Sequence, residues 1–277
     1  MVEQTEKTQP EVSVVCPFHN EAQILEPAIG TLLAQLRMLG RSWELLVVND
    51  GSDDGSGGIA ERLARENPNL RAIGYAEHRG RGYALREGIA AARGEIIVTT
   101  EMDLTWGAHI VHDLVRALGE SPEADIVLAS PHLPGGGYKG VPFFRVWVSR
   151  LGNWLIRACL GLAPTMNTGM ARAYRAPVIR SLPLGENDKE FHLEVVHKAA
   201  ARDYVIREIP AALEWKEHER AGQQPHRRSS THLLHTALGH IRFLFRASPL
   251  RTLGVVSLCV LIPVVLVLLG WVLWPRP

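Results

Sequence analysis

The residues best suited to chemistry in this 277-residue chain are carboxylates gathered at the ends of three apolar runs. The run 12–16 leads into Pro17-Phe18-His19-Asn20-Glu21, the run 44–48 into Asn49-Asp50-Gly51-Ser52-Asp53-Asp54-Gly55, and the run 96–100 into Glu101-Met102-Asp103. Carboxylates two apart at a strand end can both face a hard divalent cation, which takes oxygen ligands and bridges to phosphate oxygens. Glu101 and Asp103 therefore read as ligands for Mg2+ or Mn2+, placed to neutralise a departing diphosphate. Zinc fits poorly, because no Cys or His cluster is available. Each acidic cluster alone has a plainer reading: Asp50-Gly51-Ser52 makes a turn, and Asp53 or Ser56 caps the next helix. Three together at strand ends point to one ligand crevice. The run Arg79-Gly80-Arg81-Gly82, ahead of a helix, could cradle phosphate through backbone N–H groups. A dinucleotide site is disfavoured, since PFHNEA and not G-x-G-x-x-G follows the first strand.

The elements that must position these groups alternate, strand with helix. Short β-branched runs predict strands at 12–16, 44–48, 70–75, 96–100, 126–129 and 204–209; helical spacing predicts helices at 21–39, 57–66, 82–92, 108–118 and 143–162. This is the pattern of a mostly parallel sheet covered by helices on both faces. Gly135 to Gly137, among Pro131, Pro134 and Pro142, marks a long loop of the kind that carries function. With 46% hydrophobic residues the chain can bury a sizeable core, and 30 basic against 29 acidic residues give no reason to expect nucleic-acid binding. Cys16, Cys159 and Cys259 lack metal-ligand spacing and read as reduced core or membrane residues. The polar N-terminus has no secretory h-region. Residues 253–274 carry no charge, enough to span a bilayer once, and Pro263 is tolerated in such a span. Arg227, Arg228, Arg242, Arg246 and Arg251 precede it and only Arg276 follows, which places the head on the cytoplasmic side. Residues 231–246 put Leu234, Ala237, Leu238, Ile241, Leu244 and Phe245 on one face, as in a helix lying in the membrane interface; packing against the head is the alternative. The expected division is a flexible N-terminus at 1–11, a catalytic domain at 12–228, an amphipathic helix at 229–248 and a transmembrane helix at 249–274.

The stretches VSVVCPFHNE, VVNDGSDDGS, HRGRGYALREGIAAARGEII, TTEMDL, LPGGGYKGVPFFRVWVSRLGNWLIRACLGL and NTGMARAYR occur in that order over most of residues 12–215. In this the chain resembles family-2 glycosyltransferases of the GT-A fold, and among them the polyprenyl-phosphate (dolichol-phosphate) mannosyl and glucosyl synthases. The resemblance implies an α/β head with a Rossmann-like, mostly parallel mixed sheet. It implies an inverting, metal-assisted transfer of a hexose from a nucleotide-diphosphate sugar to polyprenyl phosphate at the bilayer; a homo-oligomer stays open. Pro17, Glu21, Asn49, Asp50, Arg81 and Met102 would line the donor, with Asp50 on the base or ribose. Glu101 and Asp103 would hold the metal, with Asp103 counted among the catalytic residues. Arg145 and Ser149 would align the acceptor phosphate, with Arg150 and His132 beside them. Departures accompany the matches: Glu101 stands for the first Asp of Asp-x-Asp, Asn49-Asp50 for Asp-Asp, Ser130-Pro131-His132 for Ser-Arg-Tyr, and Met166 for an Asp. The Lys expected after Arg220-Ala221-Gly222 is also missing.

A phosphate acceptor, with a second pKa of about 6, is mostly a dianion near neutral pH and needs no strong base. A lipid or glycan hydroxyl acceptor would need one, for which Asp188, Glu190 and Glu194 are the candidates. Their plainer reading is the acidic start of a helix. A non-catalytic membrane scaffold that keeps the fold is the rival from another class, motivated by the departures.

Overall fold

The computed structural model describes residues 9–215, 228–259 and 261, with side chains left out for 228–233. A seven-stranded sheet runs in the order β3-β2-β1-β4-β7-β5-β8, from β1 (Val12–Phe18), β2 (Trp43–Asp50), β3 (Leu70–Tyr75), β4 (Ile96–Thr99), β5 (Ile126–Ser130), β7 (Arg172–Arg175) and β8 (Ile206–Pro210). Strands β1 to β4 pair in parallel, as do β5 and β8, while β7 is antiparallel to both β4 and β5. All seven residues of β1 are buried, as expected of a strand covered on both faces. On one face Leu25, Ile29, Leu32 and Leu36 of α1 (Ala22–Arg37) pack with Ala60 of α2 (Ser56–Glu66) and Leu114 of α4 (Ile110–Glu120). On the other, Leu85 of α3 (Arg81–Ala91) packs with Ile156 of α5 (Phe143–Leu160), Ile179 of α6 (Ala176–Ser181) and Val195 of α7 (Phe191–Ala200).

The sequence expectation for the first five strands holds to within two residues at each end. It lacks β7, and it reads as a loop the segment in which β6 (Gly137–Lys139) pairs in parallel with β9 (Ala212–Glu214). β7 is short and bears Arg at both ends, so its apolar signal is weak. Arg172 is nevertheless fully buried, donating to the carbonyls of Gly169, Asn167 and His192.

The expected amphipathic helix is α8 (Arg228–Ala247). Its apolar residues do not form a single face: Phe243 and Leu244 are buried against the head, while Leu234, Leu238, Ile241 and Phe245 remain exposed. Polar contacts secure the inner side, from Lys189 Nζ to Thr236 Oγ1 at 3.1 Å and from Arg246 to Glu186 at 2.7 Å. Residues 249–259 are helical, and no helix among the described residues is long and apolar enough to cross a membrane. Most of the apolar run 253–274, and residues 216–227 of the polar connector, lie outside the described residues.

Candidate active site

The loops after β1, β2 and β4 meet at the carboxyl edge of the sheet. Burial, and next the carboxylates of Glu21, Asp103 and Glu101, push the Cys16 thiol well up. The loop after β1 is tied to the loop after β2: Asn20, at φ 55°, donates its N–H to Ser52 Oγ at 3.0 Å, and its side chain accepts from Asp53 N at 3.0 Å. The N-cap of α2 is Gly55, at φ 88°, rather than Asp53 or Ser56, and it is Asp54 whose carboxylate accepts from the first helical N–H groups, Ala22 N of α1 and Ser56 N of α2. Gly51 has φ 65°, and a Cβ there would lie 2.4 Å from the backbone of Glu77 and His78.

Asn49 and Asp50 point to opposite sides of β2, as consecutive strand residues must. Asn49 accepts from Ser52 N at 2.9 Å and lies against Gly57 and Gly74. Asp50 is buried and braces the next loop. Its Oδ1 accepts from Tyr75 OH at 2.8 Å, Arg79 N at 2.8 Å and Gly80 N at 3.2 Å, and its Oδ2 lies 3.0 Å from His78 Nδ1. Asp50 thus fixes the turn that delivers Arg81, whose guanidinium is 3.6 Å from Glu101 Oε1. Glu101 Oε2 accepts from Thr105 Oγ1 at 2.9 Å, and Asp103 Oδ1 from Thr105 N at 3.1 Å. Burial, and then the Asp103 charge, raise the Glu101 pKa, with Arg81 opposing. Met102, expected beside the donor, instead buries its side chain in the core at 2% exposure: after β4 the chain turns at Met102–Asp103, closed by Leu104 N donating to Glu101 O at 3.3 Å, and the turn carries Met102 inward. Pro17 is likewise buried within β1.

Two histidines without a sequence expectation sit here. The rings of His19 and His78 stack with centroids 4.1 Å apart, both Nδ1 atoms directed at the Asp50 carbonyl, 2.8 and 3.2 Å away. A carbonyl only accepts, so Nδ1 carries the proton in each neutral ring and Nε2 is left as an acceptor. The signal was a His in each strand-end loop, but stacking across 59 positions is invisible in spacing.

Residues 186–188 close the crevice from the far side. A Cβ on Gly80 would lie 2.5 Å from Asn187 O, and one on Gly82 2.5 Å from Glu186 O, while Tyr83 N donates to Asn187 O at 3.0 Å. Of the candidate bases only Asp188 is exposed beside this loop. Glu194 is buried, accepting from Gly185 N, Glu186 N and Lys198 Nζ; Glu190 is buried 3.8 Å from His240 Nε2.

A second cavity, about 580 Å³, lies between the loop 131–138 and α5 and is lined by Pro131, Leu133, Tyr138, Val146, His132 and Arg150 among others. Burial, then the Arg150 charge, lower the His132 pKa, so its ring is neutral near pH 7. Ser149 is joined to this wall through Tyr138 OH, 3.0 Å from its Oγ. Arg145, one turn earlier on α5, stacks its guanidinium over the Trp215 ring at 4.6 Å. β9, which pairs with β6 beside the second cavity, is tied to the loop after β4 by Glu214 N donating to Thr105 O at 2.8 Å.

The donor set suits a hard cation. Among the described residues no group of three or more His, Cys, Asp or Glu could hold a metal. Glu101, with Arg81 beside it, and Asp103 would supply part of a shell that phosphate oxygens and water complete, the usual Mg2+ arrangement.

Solved structures share this architecture. Glucosyl-3-phosphoglycerate synthase from Mycobacterium tuberculosis, crystallised with Mn2+, UDP and glucosyl-3-phosphoglycerate, superposes with a TM-score of 0.64 at 21% identity, covering 87% of this chain and 80% of that one. A mannosyltransferase from Pyrobaculum calidifontis, in complex with GDP-Man and Mn2+, gives 0.53 at 20% identity over 87% and 65% of the two chains. In sequence the chain is 30% identical over 205 residues to an undecaprenyl-phosphate mannosyltransferase of Micrococcus luteus, covering 72% of this chain and 82% of the relative. It is 28% identical over 210 residues to a polyprenol monophosphomannose synthase of Mycolicibacterium smegmatis, covering 71% and 75%. The family model for glycosyl transferase family 2 matches residues 13–182, which carry all three strand-end loops, the Arg81 turn and α5, and the chain belongs to that family of glycosyltransferases.

Proposed function

We propose that the protein transfers a hexose from a nucleotide-diphosphate sugar to polyprenyl phosphate at the cytoplasmic face of a membrane, with Mg2+ or Mn2+ held by Glu101 and Asp103. The observation that carries this reading is the pairing of the Glu101, Asp103 and Arg81 crevice with a second, half-apolar cavity that opens beside an apolar helix face. On α5, Phe143, Phe144, Trp147, Leu151 and Trp154 are 51 to 76% exposed, far more large apolar surface than a water-facing helix needs. The outer side of α8 adds Leu234, Leu238, Ile241 and Phe245, and the sequence 253–274 continues in apolar residues. A lipid surface against these faces would bring a lipid phosphate to Ser149 and Arg150 at the cavity rim. The similar mannosyltransferase and mannose synthase are named for such lipid phosphates.

The metal, when bound, would supply positive charge to the leaving diphosphate. Arg81 adds a guanidinium beside it, held by the Asp50-braced turn. His19 and His78 offer acceptor nitrogens near the base-binding loops. Because the acceptor dianion is already nucleophilic, the remaining task is alignment behind the anomeric carbon, which inverts that centre. Asp188 is then not needed as a base.

The test is a transfer assay of the full chain in detergent, with Mn2+ and labelled GDP-mannose, UDP-glucose or UDP-GlcNAc, offered polyprenyl phosphate or the unphosphorylated polyprenol. Label is expected in organic-extractable lipid with the phosphate alone. Transfer to polyprenol, or no lipid product with any donor, would contradict the reading.

A further inference from the structure

We infer that Tyr138 is a positioning residue of the acceptor site: its hydroxyl joins His132 and Ser149 into one hydrogen-bonded chain along the cavity wall, and this chain presents a donor to the phosphate of the acceptor. The inference rests on the polyprenyl-phosphate reading above and concerns a residue to which the resemblance, though its stretch LPGGGYKGV includes it, assigns no role.

The geometry is specific. Tyr138 OH lies 3.0 Å from Ser149 Oγ and 3.3 Å from His132 Nε2, and its ring meets the His132 ring edge-on with centroids 5.8 Å apart. Tyr138 is the central residue of β6, paired with Leu213 of β9, so its backbone is pinned although it sits in a Gly-rich loop. His132 lies on the loop after β5 and Ser149 on α5, so the tyrosine hydroxyl fastens two elements that otherwise form opposite walls of the cavity. Arg150, the residue after Ser149, lines that cavity.

Proton counting gives the chain a direction. A phenol has one hydrogen, so Tyr138 donates to one neighbour and accepts from the other. If it donates to Ser149 Oγ, His132 Nε2–H donates to Tyr138, and the Ser149 hydroxyl hydrogen is free to point at an anion. If it donates to His132 Nε2, Ser149 is consumed and the free donor becomes His132 Nδ1–H. Either way the chain ends in one unsatisfied N–H or O–H, the group a phosphate oxygen would take. An arriving dianion next to the Arg150 guanidinium favours the first sense.

The experiment compares wild type, Tyr138→Phe, Ser149→Ala and the double variant by steady-state transfer to polyprenyl phosphate. Phe keeps the ring packing, and a thermal midpoint near that of the wild type confirms the fold. Tyr138→Phe is expected to raise KM for polyprenyl phosphate about 10- to 150-fold, the range of one charge-assisted hydrogen bond, with donor KM and kcat at saturating acceptor within about twofold. Because Tyr138 acts through Ser149, the double variant should match Ser149→Ala alone. An unchanged KM in Tyr138→Phe, or effects that multiply in the double variant, would overturn the inference alone. A wild-type chain that makes no product from polyprenyl phosphate removes the acceptor reading and this inference with it.

Discussion

Substituting Gly82 by Ala perturbs the donor site through one methyl group. The backbone of Gly82 lies in the ordinary helical range, so alanine fits the local conformation and only crowding opposes it. The added Cβ would stand 2.5 Å from Glu186 O, 2.7 Å from Asp188 O and 2.8 Å from Asn187 C, all backbone atoms. Real Cβ contacts hardly ever fall below 3.0 Å, so α3 and the 186–188 segment must part by about half an ångström. Overpacking of this kind costs about 1–3 kcal/mol, offset by about 1 kcal/mol of helix propensity gained on replacing Gly. The net loss of stability is therefore small, about 0–2 kcal/mol. The larger effect is expected on function, because the displaced turn carries Arg81, and a misplacement near 1 Å can cost about a hundredfold in rate. Steady-state kinetics with the nucleotide sugar varied should show donor KM raised about 3- to 30-fold with acceptor KM unchanged. A donor KM equal to that of the wild type would refute the claim that the 186–188 segment and the Gly80-Arg81-Gly82 turn are one rigid unit.

Gly30→Ala, on the exposed side of α1 with nothing within 4 Å of the new methyl, should raise the unfolding free energy by about 0.5–1 kcal/mol in denaturant titrations. His240 is pushed down to about 4 by burial and then by Lys189. Its unfolded form protonates first as pH falls below 6.5, so stability is lost between pH 6.5 and 4, by up to about 3 kcal/mol at 1.36 kcal/mol per unit. Glu190, raised by burial, works in the opposite sense in both proteins, so the difference between wild type and His240→Gln isolates the histidine; equal pH profiles would remove this account. Trp147→Ala with Trp154→Ala should weaken sedimentation with anionic liposomes several-fold while leaving donor KM unchanged, since both indoles are exposed on α5; unaltered sedimentation would show that α5 is not a lipid-facing helix.

Much of the head was legible because β1 to β5 are continuous apolar runs bounded by polar loops, the pattern that burial on both faces imposes. That the loops after β1, β2 and β4 share the carboxyl edge of the sheet follows from strand ends alone. The remainder depended on contacts distant in sequence. β7 hides behind arginines whose burial is compensated by backbone carbonyls, and a short polar strand has no periodicity to announce it. Asn49 and Asp50 are equivalent as sequence but opposite in the fold, one in a turn and one bracing the Arg81 loop. α8 divides its apolar residues between the head and the outside, because Phe243, which falls off the periodic stripe, is the residue that packs inward. Tyr138 lies in the Gly-rich loop and in the stretch LPGGGYKGV, but its link to His132 and Ser149 has no signal in the sequence, since those partners lie 6 and 11 positions away on two different elements.

The central claim is that Glu101 and Asp103 hold the cation on which transfer to polyprenyl phosphate depends. The most direct measurement is the rate of lipid-product formation by wild type and Asp103→Asn across a Mn2+ titration, after chelation. Wild type should be inactive without added metal and saturate with it, and the variant should lose at least about a hundredfold in rate at saturating Mn2+ while unfolding at the same temperature. A variant that turns over at the wild-type rate, or a wild type indifferent to chelation, would contradict the account.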